Sequence, residues 1–288
     1  MRVLIIGADG QLGSDLTGAI PQNEQIALTV KELDITDKEQ TLRVIKKHAP
    51  QVVINTAAYN RVDDSEDQEA TAFAVNATGV KNVALACREV DAALVHFSSD
   101  YVFNGEKNKP YVETDTPDPR SVYGISKLAG EFCVKYILKK YFIVRSAGLY
   151  GAAGCLGKGG GNFVDNMIRL ADKQPDLRVV DDEIVSPTYT RDLAGKIAQL
   201  IRTEHYGLYH IVNHGCCSWY DFTVKIFELL GRKVAVKPVP SSEFPTRAQR
   251  PRYSALENAR LRTLGMVDLR PWAEALRAYL EEKKGAGR

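Results

Sequence analysis

The segment VLIIGADGQLG at residues 3–13 decides the fold of this chain. Its four leading apolar residues predict a buried strand, and the glycines that follow at positions 7, 10 and 13 open a helix directly after it. Glycine permits a tight turn and the close approach of a pyrophosphate, and the third glycine lets the helix pack on the strand. The free N–H groups at the helix start then face the phosphates. The segment therefore predicts a dinucleotide-binding unit built on Gly7, Gly10 and Gly13.

Strand-like and helix-like segments alternate in the first half of the chain, which predicts a parallel sheet covered on both faces. We expect strands at 2–6, 26–30, 52–55, 94–98 and 141–145, and helices at 11–19, 38–47, 69–89 and 123–139. After residue 150 a glycine-rich run at 151–161 and scattered prolines change the pattern. The predicted fold is α/β, a Rossmann-type doubly wound parallel sheet with a smaller C-terminal substrate-binding lobe. We expect a dinucleotide-binding domain at 1–150, later segments within about 177–212 that extend its sheet, and a mainly substrate-binding lobe at 151–288.

Composition excludes several classes of protein. The 288 residues are 44% hydrophobic and 26% charged, and 38 Lys+Arg against 36 Asp+Glu give a net charge of +2. This balance gives no reason to expect a nucleic-acid or membrane partner, and no stretch approaches the ~20 apolar residues of a membrane span. The five cysteines, Cys155 among them, show no CxxC or Cys/His metal spacing, which is typical of reduced thiols in the cytoplasm. We predict a cytoplasmic protein with a small-molecule substrate, as a monomer or a homodimer.

A second motif, YGISK at residues 123–127, supplies groups for proton transfer. Tyr123 and Lys127 share one helix face, so the ammonium can stabilise a phenolate and lower a phenol pKa that starts near ~10. A serine at the end of the fourth strand, in the run Ser98-Ser99, lies on the rim where cofactor and substrate meet. Its hydroxyl can bind a carbonyl oxygen that gains negative charge while Tyr123 protonates that oxygen. Lys127 can also reach the nicotinamide ribose. Together with the glycine loop, these groups predict a nicotinamide-dependent reductase.

The adenosine end of the predicted cofactor site favours NADPH over NADH. The second strand ends in Leu28-Thr29-Val30-Lys31, with no acidic residue before Glu32 to bind a ribose 2′-hydroxyl. Lys31 can instead accommodate a 2′-phosphate, although a solvated surface lysine is an equally good interpretation. Asp34-Ile35 lies in the next loop and can contact the adenine.

With these motifs in this order, the chain resembles the extended short-chain dehydrogenase/reductase family over nearly its whole length. The motifs that carry the resemblance are GADGQLG, NTAAY with Val62-Asp63, SSDYVFNG, YGISK, Ser186-Pro187-Thr188 and Arg250-Pro251. The resemblance implies that Ser99, Tyr123 and Lys127 form a Ser/Thr-Tyr-Lys catalytic triad. The cofactor contacts it implies, besides Tyr123 and Lys127, are Gly10, Gln11, Leu12, Asp34, Ile35, Ala57, Ala58, Tyr59 and Ser98.

The resemblance also implies a nucleotide-sugar substrate. Tyr101, Asn162 and Arg250 match positions near the sugar nucleotide, in addition to Ser99 and Tyr123. Arg250 suits a diphosphate by charge, with a surface salt bridge as the alternative. Asn76 resembles an asparagine that supports the active site, with a plain helix asparagine as the alternative. The implied reaction is NAD(P)H-dependent reduction of the C4 ketone of dTDP-4-dehydro-L-rhamnose to dTDP-L-rhamnose, a step in making cell-surface polysaccharide.

Departures from the family pattern keep other functions open. Gly148 stands where such reductases usually have a tryptophan that packs on the sugar, so the exact sugar and nucleobase are not determined. A 4,6-dehydratase needs an Asp-Glu pair after the rim hydroxyl, and this chain has Asp100-Tyr101. The alternatives are another nucleotide-sugar reductase or epimerase, or a non-catalytic regulatory protein on the same fold. Some family members use Mg²⁺, and Asp15 matches one acidic position, but an aspartate favoured by the helix dipole is the simpler interpretation, so we predict no metal ligand.

Overall fold

A parallel sheet of six strands forms the centre of the computed structural model, which describes residues 1–154 and 160–286. In chain order the strands are β1 (Val3–Ile6), β2 (Gln25–Leu28), β3 (Val52–Asn55), β4 (Ala93–Ser99), β5 (Tyr141–Ser146), β6 (Leu149–Tyr150), β7 (Asp176–Val180), β8 (Ile184–Val185), β9 (Thr188–Tyr189), β10 (Gly207–His210), β11 (Cys217–Ser218) and β12 (Ala235–Val239). The central sheet has the order β10-β5-β4-β3-β1-β2, with every neighbouring pair parallel. The order reverses between β1 and β3, which is where open α/β sheets bind ligands. The predicted Rossmann-type fold class is confirmed.

Helices cover both faces of this sheet. In chain order they are α1 (Gln11–Ala19), α2 (Lys38–His48), α3 (Val62–Asp67), α4 (Glu69–Phe73), α5 (Val80–Glu89), α6 (Val122–Ile137), α7 (Phe163–Ala171), α8 (Thr190–Leu200), α9 (Trp219–Leu230), α10 (Ala259–Thr263) and α11 (Trp272–Ala286), and a π-helical turn at Ala74–Gly79 joins α4 to α5. Alternate residues of β1 point to opposite faces, as a strand requires. Val3 and Ile5 join a core with α1 and α8, whereas Leu4 and Ile6 join a core with α2, α5 and α6.

Three two-stranded sheets from the second half of the chain lie beside the central one: β6 with β9, β8 with β11, and β7 with β12. Of the segments expected within 177–212 to extend the central sheet, β10 does so next to β5, whereas β7 does not. The expectation for β7 is wrong because its residues alternate between exposed and buried. Leu177 and Val179 pack on Phe227, which leaves the other face of the strand to solvent. Such a pattern is typical of a strand with one covered face, not of the interior of a parallel sheet.

Side-chain caps fix where the helices at the site begin. The Asp37 carboxylate accepts a hydrogen bond from the Gln40 N–H (2.9 Å) at the start of α2, and the Ser121 hydroxyl accepts one from the Gly124 N–H (3.2 Å) at the start of α6. Each cap satisfies an N–H group that the helix itself leaves unpaired. Cys155 lies outside the described residues. Within the described ranges no helix combines the length and apolar character needed to cross a membrane.

Candidate active site

The carboxyl ends of the central strands open on a cleft of about 970 Å³. Lys31 is not part of the cleft lining, but the other residues that the sequence predicts as catalytic, cofactor or substrate contacts are: Gly7, Gly10, Gln11, Leu12, Gly13, Asp34, Ile35, Ala57, Ala58, Tyr59, Ser98, Ser99, Tyr101, Tyr123, Lys127, Asn162 and Arg250. They come from both halves of the chain. The cleft therefore brings the predicted catalytic, cofactor and substrate residues together.

The loop after β1 is a tight cradle of backbone atoms. The Gly10 N–H donates to the Gly7 carbonyl (3.0 Å), and a Cβ atom added at Gly13 would lie 2.1 Å from that same carbonyl oxygen. Two buried polar atoms in the cleft, Gln11 Oε1 and Ser98 Oγ, have no hydrogen-bond partner among the residues that the structure describes. Because buried polar atoms are normally paired, a ligand is the natural partner for both. The cradle and these free atoms fit a dinucleotide whose pyrophosphate lies at the start of α1.

The turn after β2 lies next to this loop and also borders the cleft, where Val30 is part of the lining. The Glu32 carboxylate accepts hydrogen bonds from the Thr29 N–H (2.7 Å) and hydroxyl (2.5 Å), and these bonds lower its pKa. Asp34 is engaged in a similar local turn, since its carboxylate accepts from the Thr36 N–H (2.9 Å). Hydrogen bonds within their own turns thus hold the carboxylates of Glu32 and Asp34. Lys31, between Val30 and Glu32, is the basic residue of this segment.

Helix α6 brings the YGISK motif against the rim of the sheet. A Cβ atom at Gly124 would lie 2.2 Å from the Tyr101 carbonyl oxygen, so only glycine allows the helix this close approach. The Tyr123 ring meets the Tyr101 ring edge-on, with centroids 5.6 Å apart. One turn later the buried Lys127 ammonium donates to the Phe97 carbonyl at 2.6 Å. Burial lowers the Lys127 pKa to about 8, while the charge of Glu131 opposes this shift.

Ser99 ends β4 in the same wall of the cleft. Its hydroxyl donates to the Asp100 carboxylate (2.9 Å) and accepts from the Tyr101 N–H (3.2 Å). The Ser254 hydroxyl donates to the other oxygen of Asp100 (2.6 Å). Burial raises the Asp100 pKa to about 6, although both serine hydrogen bonds act in the opposite direction. The orientation of the Ser99 hydroxyl therefore depends on Asp100.

Asn76 connects the cofactor side of the cleft to α6. It lies fully buried in the π-helical turn, where its amide donates to the Tyr59 carbonyl (3.0 Å) and to the Ser126 hydroxyl (3.0 Å). Its oxygen accepts from the Tyr59 N–H (2.9 Å). Turns of this type occur frequently at functional sites. Asn76 thus fixes the Tyr59 backbone relative to the helix that carries Tyr123.

Arg250 and Asn162 are already engaged with protein partners. The Arg250 guanidinium donates to the Tyr101 hydroxyl (2.9 Å) and to the Asp63 carboxylate (2.8 Å). Asn162 caps α7 through its oxygen, and its amide donates to the Gly151 carbonyl (3.0 Å) and the Tyr279 hydroxyl (2.9 Å). Both hydrogens of the Asn162 amide are thus used within the protein. Arg250 uses one N–H group on each of two nitrogen atoms for its bonds to Tyr101 and Asp63, so part of its guanidinium can still donate to a ligand.

Sequence reasoning missed several side chains that the second half of the chain places in the cleft, among them Glu183 and Trp219. Trp219 begins α9, after a capping box formed by Ser218 and Asp221. Its ring lies 3.6 Å from the position of a Cβ atom at Gly148, so an indole borders the space beside this glycine. The capping box is readable in the sequence and predicts the helix start. It does not indicate that the first residue of the helix faces Gly148.

Asp15, the residue that matches an acidic metal position in some family members, has a partner within the chain. The Thr190 hydroxyl donates to its carboxylate (2.5 Å), and burial raises its pKa. Over residues 1–154 and 160–286, no three His, Cys, Asp or Glu side chains are grouped in a way that could hold a metal ion.

The fold and this cleft define a protein of the short-chain dehydrogenase/reductase class. The chain belongs to the RmlD substrate binding domain family, which it matches over residues 1–284. It is 39% identical to the spore coat polysaccharide biosynthesis protein SpsK of Bacillus subtilis (99% of each chain) and 41% identical to a dTDP-4-dehydrorhamnose reductase of Streptomyces griseus (96% of this chain, 91% of the relative). A crystal structure of dTDP-4-dehydrorhamnose reductase from Bacillus anthracis in complex with NADP superimposes with a TM-score of 0.93 at 42% identity, covering 98% of this chain and 99% of that one.

Proposed function

We propose that this protein is a dTDP-4-dehydrorhamnose reductase, which reduces the C4 ketone of dTDP-4-dehydro-L-rhamnose to give dTDP-L-rhamnose. The observation that carries the proposal is the meeting of Tyr123, Lys127 and Ser99 in one cleft with the glycine cradle. The relatives named for this activity support the choice of substrate. We assign cofactor binding to residues 1–150 with β10, and substrate binding mainly to residues 151–288. The cysteines of the described ranges are free thiols, in keeping with a cytoplasmic location.

When bound, the nicotinamide cofactor supplies the hydride that reduces the ketone. The chain's own residues provide the proton and the polarisation. Tyr123 donates its phenolic proton to the ketone oxygen. The Ser99 hydroxyl, which donates to Asp100 in this structure, turns to donate its hydrogen bond to that oxygen as negative charge develops there. Lys127, held by the Phe97 carbonyl, places a positive charge one helical turn from Tyr123 and stabilises the phenolate that remains. Arg250 binds the diphosphate with the part of its donor fork that Asp63 and Tyr101 leave available.

NADPH is the cofactor that we propose over NADH. The loop after β1 and the Ser98 hydroxyl bind the part of the cofactor that NADPH and NADH share. At the adenosine end, Glu32 is hydrogen-bonded to Thr29, so its carboxylate is engaged within the turn. Lys31 can then attract a 2′-phosphate. The NADP complex of the Bacillus anthracis relative supports this assignment.

A spectrophotometric assay tests the function directly. Purified protein is mixed with NADPH or NADH and with dTDP-4-dehydro-L-rhamnose, or with a GDP- or UDP-linked keto-sugar as the comparison substrate. We expect oxidation of NADPH with the dTDP-sugar and a lower kcat/KM with NADH. Cofactor binding without oxidation of either dinucleotide by any sugar would favour the non-catalytic regulatory alternative.

Turnover is expected to fall as the pH rises through about 8. The Lys127 pKa lies near this value, so the side chain is a cation below it and neutral above it. A neutral amine no longer stabilises the Tyr123 phenolate, and kcat therefore decreases on the alkaline side. The measurement is a profile of kcat at saturating substrate between about pH 6 and pH 10, with Lys127→Met as the control that lacks the titrating group. A wild-type profile that stays flat across this range would contradict the role of Lys127.

A further inference from the structure

Glu183 is an acidic side chain in the cleft that the proposed reaction does not use. It lies in the connection between β7 and β8, half-buried, and lines the cleft together with Trp219. Burial raises the Glu183 pKa, whereas the positive charge of Arg250 lowers it. A carboxylate that is partly removed from water keeps its charge at a cost, so a ligand that donates hydrogen bonds to it is favoured.

Trp219, which lines the cleft with Glu183, is held rigidly. Trp219 packs on Phe163 with ring centroids 4.4 Å apart, and the helix that it begins is fixed by the Ser218 cap. Ser218 in turn donates to the Asp181 carboxylate at 2.7 Å, two residues before Glu183. The wall of the cleft at this point thus consists of an indole surface and a carboxylate that are fixed relative to one another.

Glu183 is linked electrostatically to Arg250, and direct contacts link Arg250 to the proton donor. Its charge interacts with Arg250, which donates to the Tyr101 hydroxyl, and the Tyr101 ring meets the Tyr123 ring. A ketone placed at Tyr123 therefore has the rest of its molecule within reach of Arg250 and Glu183. Since Arg250 attracts a diphosphate and Glu183 repels one, the two residues must face different parts of the same ligand.

We infer that Glu183 accepts a hydrogen bond from a hydroxyl group of the hexose, and that the Trp219 ring provides the apolar surface beside it. This inference rests on the proposed function, and it assigns Glu183 to recognition of the sugar part of the substrate. Hydroxyl groups are the hydrogen-bond donors of a hexose, and a carboxylate is the strongest acceptor among side chains. Clefts that bind small molecules combine an aromatic wall with a few such polar groups.

Isothermal titration calorimetry with two probes, dTDP and dTDP-L-rhamnose, tests this inference in the presence of NADP⁺. Wild type should bind dTDP-L-rhamnose more tightly than dTDP. Glu183→Ala should weaken binding of dTDP-L-rhamnose by about 10- to 100-fold, as for loss of one hydrogen bond to a charged group, and leave the affinity for dTDP unchanged. Glu183→Gln keeps the size of the side chain and an acceptor for the hydroxyl, so it should fold normally and lose less affinity. Glu228→Gln removes an equal charge from the exposed side of α9 and should bind both probes as wild type does.

Each other outcome overturns a distinct statement. An equal loss for dTDP and dTDP-L-rhamnose in Glu183→Ala would mean that Glu183 contacts the nucleotide, and would overturn the inference. Unchanged binding of both probes would overturn it too, while leaving the proposed function intact. Failure of the wild-type protein to bind either probe would overturn the proposed function itself.

Discussion

Replacing Tyr123 with phenylalanine should lower kcat by at least ~10²-fold, the scale of effect that general acid catalysis contributes. The substitution removes the phenolic hydroxyl and keeps the ring that packs edge-on against Tyr101. The glycine cradle and the free Ser98 hydroxyl stay in place, so the affinity for the dinucleotide should be nearly unchanged. The measurements are kcat in the NADPH oxidation assay and the dissociation constant of NADPH by fluorescence titration.

The matched control is Tyr136→Phe, the same chemical change on the same helix. Tyr136 is 92% exposed, so loss of its hydroxyl should alter neither turnover nor cofactor affinity. A Tyr123→Phe variant that turns over like the control would show that another group protonates the ketone oxygen. A variant that loses NADPH affinity to the same extent as turnover would indicate a binding role for the Tyr123 hydroxyl.

The central sheet was predictable because each of its strands is a short apolar run that ends in a turn. The expected strand at residues 52–55 and the expected helix at residues 11–19 match β3 and α1 at both ends. Local chemistry sets these boundaries: glycines precede α1, and the Asp37 side chain caps α2, which begins at Lys38 as expected. The cofactor side of the cleft follows from such local signals, because it is formed by loops directly after the strands.

The substrate side depends on contacts that no local pattern contains. Glu183 and Trp219 are separated in sequence by four strands and a helix, and each lies far from Tyr123 along the chain. Their meeting depends on how the small sheets of the second half pack, which is also where the expectation for β7 is wrong. Asn162 illustrates the same limit, because its amide is used by Gly151 and by Tyr279, a residue 117 positions away. Residue type alone does not reveal that such a side chain is already engaged.

The largest expected effect on cofactor binding comes from Gly13→Ala. The new methyl group would lie 2.1 Å from the Gly7 carbonyl oxygen and 2.8 Å from the Ala8 Cα, so it meets backbone atoms that a rotamer change cannot move. Helix α1 must then shift away from the loop after β1. This shift moves the N–H groups at the start of the helix away from the pyrophosphate of the bound dinucleotide. We expect the dissociation constant of NADPH to rise at least ~10-fold, if the shift removes one or more hydrogen bonds to a charged group. The free energy of unfolding should fall by ~1–3 kcal/mol, as in other overpacked sites.

Gly18→Ala provides the matched control, because Gly18 lies on the same helix and, outside the nearby backbone of that helix and its chain neighbours, no atom of the described residues lies within 4 Å of an added Cβ. Alanine is favoured over glycine inside helices by ~0.5–1 kcal/mol, so this variant should be more stable than wild type and bind NADPH equally well. The two substitutions are chemically identical, and the free energy of unfolding of each variant is measured by urea denaturation. A loss of stability in Gly13→Ala and a gain in Gly18→Ala would separate the effect of packing in the cradle from that of helix propensity. If Gly13→Ala also gains stability and keeps its NADPH affinity, then the third glycine is not needed for close packing, and the role given to the segment at residues 3–13 is wrong.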